Sequence, residues 1–512
     1  MTMETASAHP KSAVSVLCAG LFLIGVDVTV LNVALPSLQA ELEPGMSTLQ
    51  WVADGYTLAL ACGVLAGGAW GDAYGRRRAF VLGLVLCGLA SVYGATAQDA
   101  GQVIAARVVM GLGAALLMPS TLSLITVVFP EPAARRRAIA VWALVAGSGA
   151  LAGPVAGGAL VEQFSWRAGF WLNVPVVVVA VAGAWCWVPE SRHPRPGRGD
   201  GVGMTLVTGG LLALVWAIIE APVRGWADPL VMTAFAAAAG ILMALAWWER
   251  RHPSPLIPVA LCRNGRFSAA ALALAFMFFA LFGALFIISL YLQTVLGHSP
   301  AQTGWLMLPL AGATGCGAGL SLLIAPRWGD KIPVTAGMAL VATGFIILAN
   351  APAESGYGPV LLFQLTAGCG AGLAAAPATE AIMGAVPTER AGTGAALNDL
   401  VREVGGALGI AALGTALTTA HHKRLEQHTG HDAASLPLTH LVNGSQASRP
   451  AAQHAEVLQQ AFTAGVQAAS WTGAAACLIA TAITWLWLPH RQTTAQPGAT
   501  ADIPPQPREA IP

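Results

Sequence analysis

Leu21-Phe-Leu-Ile-Gly-Val-Asp-Val-Thr-Val-Leu-Asn-Val-Ala-Leu-Pro36 is the heart of an apolar segment, 12-36, long enough to cross a bilayer, and a single carboxylate, Asp27, interrupts it. A charge near the bilayer centre costs at least ~2.5 to 3.5 kcal/mol by insertion scales, so such a residue faces a protein interior or an aqueous cavity and has a task there. The segment therefore reads as a working helix, not an anchor. No small-residue cleavage site follows at the usual distance, so the segment is expected to stay in the mature chain as its first transmembrane helix.

The same pattern repeats along the chain. Of 512 residues, 55% are hydrophobic and only 10% are charged, against about 25% charged residues in an ordinary globular domain. Mean hydropathy is +0.64. This is an all-α, polytopic membrane protein. A net charge of +1 leaves no electrostatic footprint for nucleic acid. Neither HExxH, GxSxG nor GxxxxGK[ST] occurs, so no metalloprotease, serine hydrolase or ATP-driven pump is legible, no cofactor or metal is expected, and the chain is not read as an enzyme. The eight cysteines are scattered singly and read as small packing residues. Only Lys11, Lys331 and Lys423 among the 26 basic residues are lysines, which with abundant Ala and Gly points to a GC-rich bacterial coding sequence.

At about 20 apolar residues per crossing, spans are predicted near 12-36, 50-70, 79-97, 101-125, 138-162, 168-188, 203-221, 229-248, 268-292, 303-325, 333-350, 358-384, 394-420 and 457-488. That makes fourteen, so both termini share one side. Arg76 to Arg78, Arg135 to Arg137, Arg192, Arg195, Arg198, Arg250, Arg251, Arg263, Arg266, Arg327, Lys331 and Arg390 all fall in loops on one face. The other face holds mainly Arg167, Arg224, Lys423, Arg424 and Arg449. The positive-inside rule makes the first face, and both termini, cytoplasmic. The segment 421-456 is expected to be an irregular outer loop, and the Pro-, Thr- and Ala-rich tail 489-512 a disordered one.

Four constellations carry chemistry. After the second span, Gly68-Ala-Trp-Gly-Asp-Ala-Tyr-Gly-Arg-Arg-Arg78 must end one helix, turn tightly and start another: Gly75 permits the turn, Asp72 can meet a helix N-terminus or an arginine, and Arg76, Arg77 and Arg78 stay in water. A similar short turn, Pro326-Arg-Trp-Gly-Asp-Lys331, follows the tenth span, and related halves are how transporters build two access states around one site. In the fifth span, Gly149, Gly153 and Gly157 recur every four residues, giving a smooth face for close helix contact, beside Pro154 and Gly158. In the fourth, Arg107 places a permanently charged guanidinium in the membrane, which demands a partner; Asp27, and Asp54 in the second span, are the candidates, all three being placed in the outer half.

In the thirteenth span, Asp399 and Glu403 share a face at i and i+4, with Arg402 three beyond Asp399 and Asn398 alongside. They can form a cation or second proton site, or an internal ion pair.

The Gly68 to Arg78 loop resembles the loop signature of the major facilitator superfamily, although Ala73 stands where a basic residue is common. The stretch Ala146 to Gly158 resembles that superfamily's antiporter signature. With Asp27 to Pro36, Trp51, Tyr56, Arg107 to Pro119, Trp166 to Pro175 and Gly392 to Gly409, the chain is similar over nearly its whole length to the fourteen-helix drug:proton antiporters. That resemblance implies two six-helix bundles (12-188 and 267-488) with two inserted helices in 189-266, following a short cytoplasmic segment 1-11. It implies a multi-pass protein of the bacterial cell membrane, expected to be monomeric, that is driven by the proton gradient and exports small amphipathic or cationic drugs. Asp27, Asp54 and Arg107 would then handle protons. A dedicated exporter of one metabolite or antibiotic is the alternative; an importer conflicts with the antiporter signature, and a membrane receptor would need a ligand domain that the sequence lacks.

Overall fold

The computed structural model describes residues 9–129, 131–192, 200–252, 261, 263–352, 355–385, 391–429 and 449–488, and among them there is no strand. The chain runs through α1 (Pro10–Leu42), α2 (Met46–Tyr74), α3 (Arg76–Ala95), α4 (Ala100–Val128), α5 (Pro132–Gln163), α6 (Arg167–Trp187), α7 (Gly201–Arg224) and α8 (Pro229–Glu249). It continues through α9 (Gly265–Val295), α10 (Pro300–Trp328), α11 (Lys331–Ala349), α12 (Gly358–Gly384), α13 (Ala391–Thr429) and α14 (Arg449–Trp487). Thirteen of these helices are long and apolar enough, over their described residues, to cross a membrane. The remaining one, α5, has 32 residues and lies along α1.

Within the first half, α2 packs on α4, α1 on α5 and α6, and α3 on α4 and α6; within the second, α10 packs on α12, α11 on α12 and α14, and α9 on α13. The inserted α7 lies against α2 and α13, with the Thr415 hydroxyl donating to the Ile218 carbonyl at 2.7 Å, and α8 packs on α7. The halves meet through α2 against α13, α1 against α9 and α5 against α10.

Several ends differ from the sequence reading. Pro36 does not stop α1, which continues to Leu42. Apolarity fades there, but Leu35, Leu38 and Gln39 are buried, and Glu41 is held by the Trp166 indole N–H at 2.8 Å and by Arg167. Packing thus extends the helix past its last hydropathic residue, and Asp27 lies fifteen residues from its end, about 22 Å at 1.5 Å per residue, in the middle rather than the outer half. Likewise α7 runs through Pro222 to Arg224, where Glu220 pairs with Arg224 at 3.1 Å. The expected outer loop 421-456 is shorter than predicted, because α13 reaches Thr429 and α14 begins at Arg449; residues 430–448, the tail, Arg195, Arg198, Arg390 and Cys262 lie outside the described residues. None of the seven described cysteines forms a disulfide; Cys18, Cys87 and Cys477 are buried, whereas Cys186 and Cys316 are exposed.

Gly75 both ends α2 and starts α3 at φ 128°, a conformation closed to residues with a Cβ, and Gly329 ends α10 at φ 74°. Both matching turns lie at the end of the molecule that carries the arginine loops.

Candidate functional site

The site grows out of α1. Asp27 is 7% exposed and Arg107, on α4, 2% exposed, and an Arg107 terminal nitrogen donates to Oδ2 of Asp27. The guanidinium also lies 4.4 Å from the ring centre of the buried Tyr56 on α2. The other carboxylate oxygen, Oδ1, accepts from the Asn173 amide of α6 at 3.0 Å, and the same amide donates to the Ser91 hydroxyl of α3 at 3.1 Å. One carboxylate therefore ties together five helices of the first half. A buried ion pair of this kind is worth little against an apolar substitute, but breaking it by removing one partner strands the other charge.

Of the three residues expected together, the structure joins Asp27 and Arg107 and sets Asp54 apart. Gln50, Asp54 and Leu58 form an i, i+4, i+8 stripe on the α2 face toward α13: Gln50 packs at Gly414 and Leu58 with Ala407 and Ala411. Asp54 is fully buried there, and neither of its oxygens has a hydrogen-bond partner. Such a carboxyl is expensive to keep charged. A small cavity at the meeting of the halves is lined by Asn32, Thr57, Arg107, Phe282 and Ile410, and Asp54 does not line it.

The glycines of α5 explain why α1 sits where it does. A methyl group on Gly149 would press on the Phe22 carbonyl, one on Gly153 would collide with the Thr29 hydroxyl, and one on Gly157 would meet Val30. Gly158 faces the other way, its Cα against the Pro300 carbonyl of α10, while the carbonyl of Pro154 abuts Gly304. The helix is thus a spacer between α1 and the second half. Hydrogen bonds join the halves at this end, away from the arginine loops: Ser289 donates to the Asn32 carbonyl at 2.6 Å, Gln293 to the Val33 carbonyl at 2.9 Å, and Glu162 accepts from the Ser299 hydroxyl and from the Ala301 amide at 2.9 Å.

At the arginine-rich end, Asp72 pairs with Arg76 at 2.8 Å, and the Gly68 to Arg78 turn is clamped by the segment that follows α6. Glu190 accepts from the backbone amides of Arg77 and Ser191, each at 3.0 Å, and lies 3.7 Å from Arg78, while Arg77 donates to the Val188 carbonyl. The turn at Gly329 has its own clamp, Arg266 donating to Asp330 at 2.7 Å.

On α13, Arg402 lies 3.9 Å from Asp399 and 4.5 Å from the ring centre of Phe278 on α9. Asn398 and Glu403 are buried beside them, and the Asn398 carbonyl oxygen has no partner. The internal ion pair is present, and Glu403 stands outside it. Glu380 is exposed. Trp142 donates to the Thr121 hydroxyl at 3.1 Å, and Trp305 is exposed.

Sequence reasoning missed Asn173, Ser91, Glu190 and Glu162. Asn173 was open to discovery, since an amide in the apolar run after Arg167 is costly unless bonded. Glu190 and Glu162 look like ordinary loop-side acids, and only the tertiary structure shows what they touch.

Comparison with known proteins finds relatives of nearly the whole chain. The chain is 34% identical over 496 residues to the puromycin resistance protein pur8 of Streptomyces alboniger, covering 96% of this chain and 93% of that one. It is 31% identical over 490 residues to the tetracenomycin C resistance and export protein of Streptomyces glaucescens, covering 93% and 91%. With the multidrug efflux pump LfrA of Mycolicibacterium smegmatis it shares 32% over 481 residues, covering 92% and 95%. Among solved structures, an inward-facing, unoccupied bacterial homologue of the human lysosomal transporter Spinster superposes with a TM-score of 0.67 at 16% identity, covering 95% of this chain and 99% of that one, a likeness of fold alone. The Major Facilitator Superfamily model matches residues 17–410, and the chain belongs to that superfamily.

Proposed function

We propose that the protein exports amphipathic drugs or antibiotics from the bacterial cytoplasm in exchange for protons. The observation that carries this reading is the division of labour between two buried carboxyls, Asp27 held by Arg107 and Asp54 held by nothing. Asp54 lies on the interface between the halves, so parting of the halves would hydrate it and let it exchange a proton with the outside. Arg107 holds Asp27 while the halves are together, and the same movement would loosen their contact. The arginine-rich loops and both termini face the cytoplasm, so protons enter from the end closed by Glu162 and Ser299. A charge moving inward down 100 mV supplies ~2.3 kcal/mol, enough for one proton to drive moderate accumulation.

Substrate would enter the cavity at Arg107 and Phe282, with Asp399, Arg402, Glu403 and Asn398 on its cytoplasmic side as an acidic site for cationic substrates or a second proton. Beside Asn32, Thr57 and Arg107 the lining is apolar, with Val28, Leu31, Phe282, Leu285 and Ile410, and such a surface discriminates weakly between similar hydrophobes. No cofactor takes part, and the working unit is a monomer. The relatives named for one antibiotic support a second reading, a dedicated exporter. Proteoliposome transport of a panel of cationic and neutral drugs under an imposed pH gradient decides: several compounds moved establishes the multidrug exporter, one compound the dedicated exporter, and no gradient-dependent flux removes the proposal.

A further inference from the structure

Asp27 has two oxygens and two holders, and only one of the holders is charged. Oδ2 is held by Arg107, a group that never deprotonates, which leaves Oδ1 the better-placed oxygen for an exchanging proton. That oxygen is taken by an N–H of Asn173, which is 1% exposed and anchored in turn to the fully buried Ser91. A proton that arrives on Oδ1 along the line of that contact would meet the N–H head-on, and the contact is then kept by a partner that changes from donor to acceptor. A carboxamide can do this, because turning it over presents its carbonyl in place of its amino group.

We propose that Asn173 is a positioning residue of the proton site, donating to Asp27 while it is charged and turning over to accept from it when it is protonated, with Ser91 setting the orientation of the amide. This rests on the reading of Asp27 as a proton-exchanging group. The other titratable or charged side chains near Asp27 are few among the described residues: Arg107 from α4, Tyr56 from α2 and Cys87 from α3. The described residues of α5, α6, α9 and α10 that pack around α1 bring no ion-pair partner to Asp27, the Arg167 of α6 pairing with Glu41 instead. Ser91 also lies 3.8 Å from the sulfur of Met110, one turn beyond Arg107 on α4, so the line from Ser91 through Asn173 and Asp27 to Arg107 returns to the helix that holds the guanidinium. The arrangement couples the charge on Asp27 to the seat of α6 against α3.

Infrared pH-difference spectra of the full chain in detergent, with the Asp27→Asn spectrum subtracted, isolate the Asp27 carboxyl band without any substrate. The charge-assisted bond to the carboxylate is the stronger of the two that the amide makes, so losing both favours the protonated form, and Asn173→Leu is expected to move the midpoint of that band upward by about half to one pH unit. Ser91→Ala is expected to move it in the same direction by less, and it decides the matter if Asn173→Leu does not fold. Midpoints that coincide with that of the unaltered protein overturn the proposal. The underlying reading is tested separately by gradient-driven transport of radiolabelled tetraphenylphosphonium or another compound moved in the panel. If Asp27→Asn keeps that transport, Asp27 is not the proton site, whatever the infrared result.

Discussion

Gln50 and Asp54 stand one turn apart on the face of α2 that meets α13, both buried, and neither the amide nitrogen of the one nor the carboxyl oxygens of the other have a hydrogen-bond partner. Two unsatisfied polar groups in succession are costly in a packed interface, and water would satisfy both once the halves part. In the proposed transport cycle this stripe is where the halves part.

Asp54 and Asp27 should respond oppositely to the same substitution. Asp54→Asn removes no ion pair and is expected to change stability by less than about 1 kcal/mol while abolishing proton coupling. Asp27→Asn leaves Arg107 buried without a counter-charge and is expected to cost about 3 kcal/mol or more. Thermal unfolding in detergent orders the two variants, and equal stability losses would show that Asp54 has a partner after all.

The α5 spacer can be tested by collision and rescue. Gly153→Ala drives a methyl into the Thr29 hydroxyl and is expected to cost about 1 to 3 kcal/mol and to slow efflux. Adding Thr29→Ala should restore much of both. Gly158→Ala meets the Pro300 backbone carbonyl, which no side-chain change can remove, so Thr29→Ala should leave its defect untouched. Rescue of both variants, or of neither, would contradict the two-faced packing.

Glu190→Ala removes an acceptor from two backbone amides beneath Gly75, and the expected loss is about 1 to 2 kcal/mol with slower transport. Glu190→Gln, which still accepts hydrogen bonds, should recover most of it. Protease cleavage between α2 and α3 reports the turn directly, and cleavage as slow as in the unaltered protein would mean that Glu190 does not hold it.

The fold was legible because a bilayer forces the issue: thirteen apolar helices of sufficient length leave their signature in hydropathy, and the spacing of the glycines in α5 and the Gly75 turn encode close helix contact and a tight reversal in the residue order itself. Helix ends were legible only as far as apolarity marked them. Leu35 to Leu42 and the helical stretch to Thr429 continue for reasons of packing that no hydropathy window sees. Within the site, Arg107 required a carboxylate and Asp27 supplied it. The separate placement of Asp54 was hidden, because helix periodicity fixes which residues share a face but not which neighbour that face meets.

At the end away from the arginine loops, Glu162 links α5 to the start of α10 through Ser299 and Ala301. Glu162→Ala should shift the equilibrium toward separated halves there. Spin labels near the outer ends of α5 and α10 are expected to show a larger long-distance population, and an unchanged distance distribution would mean that the helix packing at Gly158 and Gly304 alone keeps this end shut.

Proton movement driven by drug is the most direct test of the whole account. Proteoliposomes holding a pH-sensitive dye, with a drug that the transport panel has shown to move imposed as a gradient in the absence of any pH difference, should show protons moving opposite to the drug, and should show none with Asp54→Asn. Drug flux without proton movement, or proton movement that survives Asp54→Asn, would contradict it.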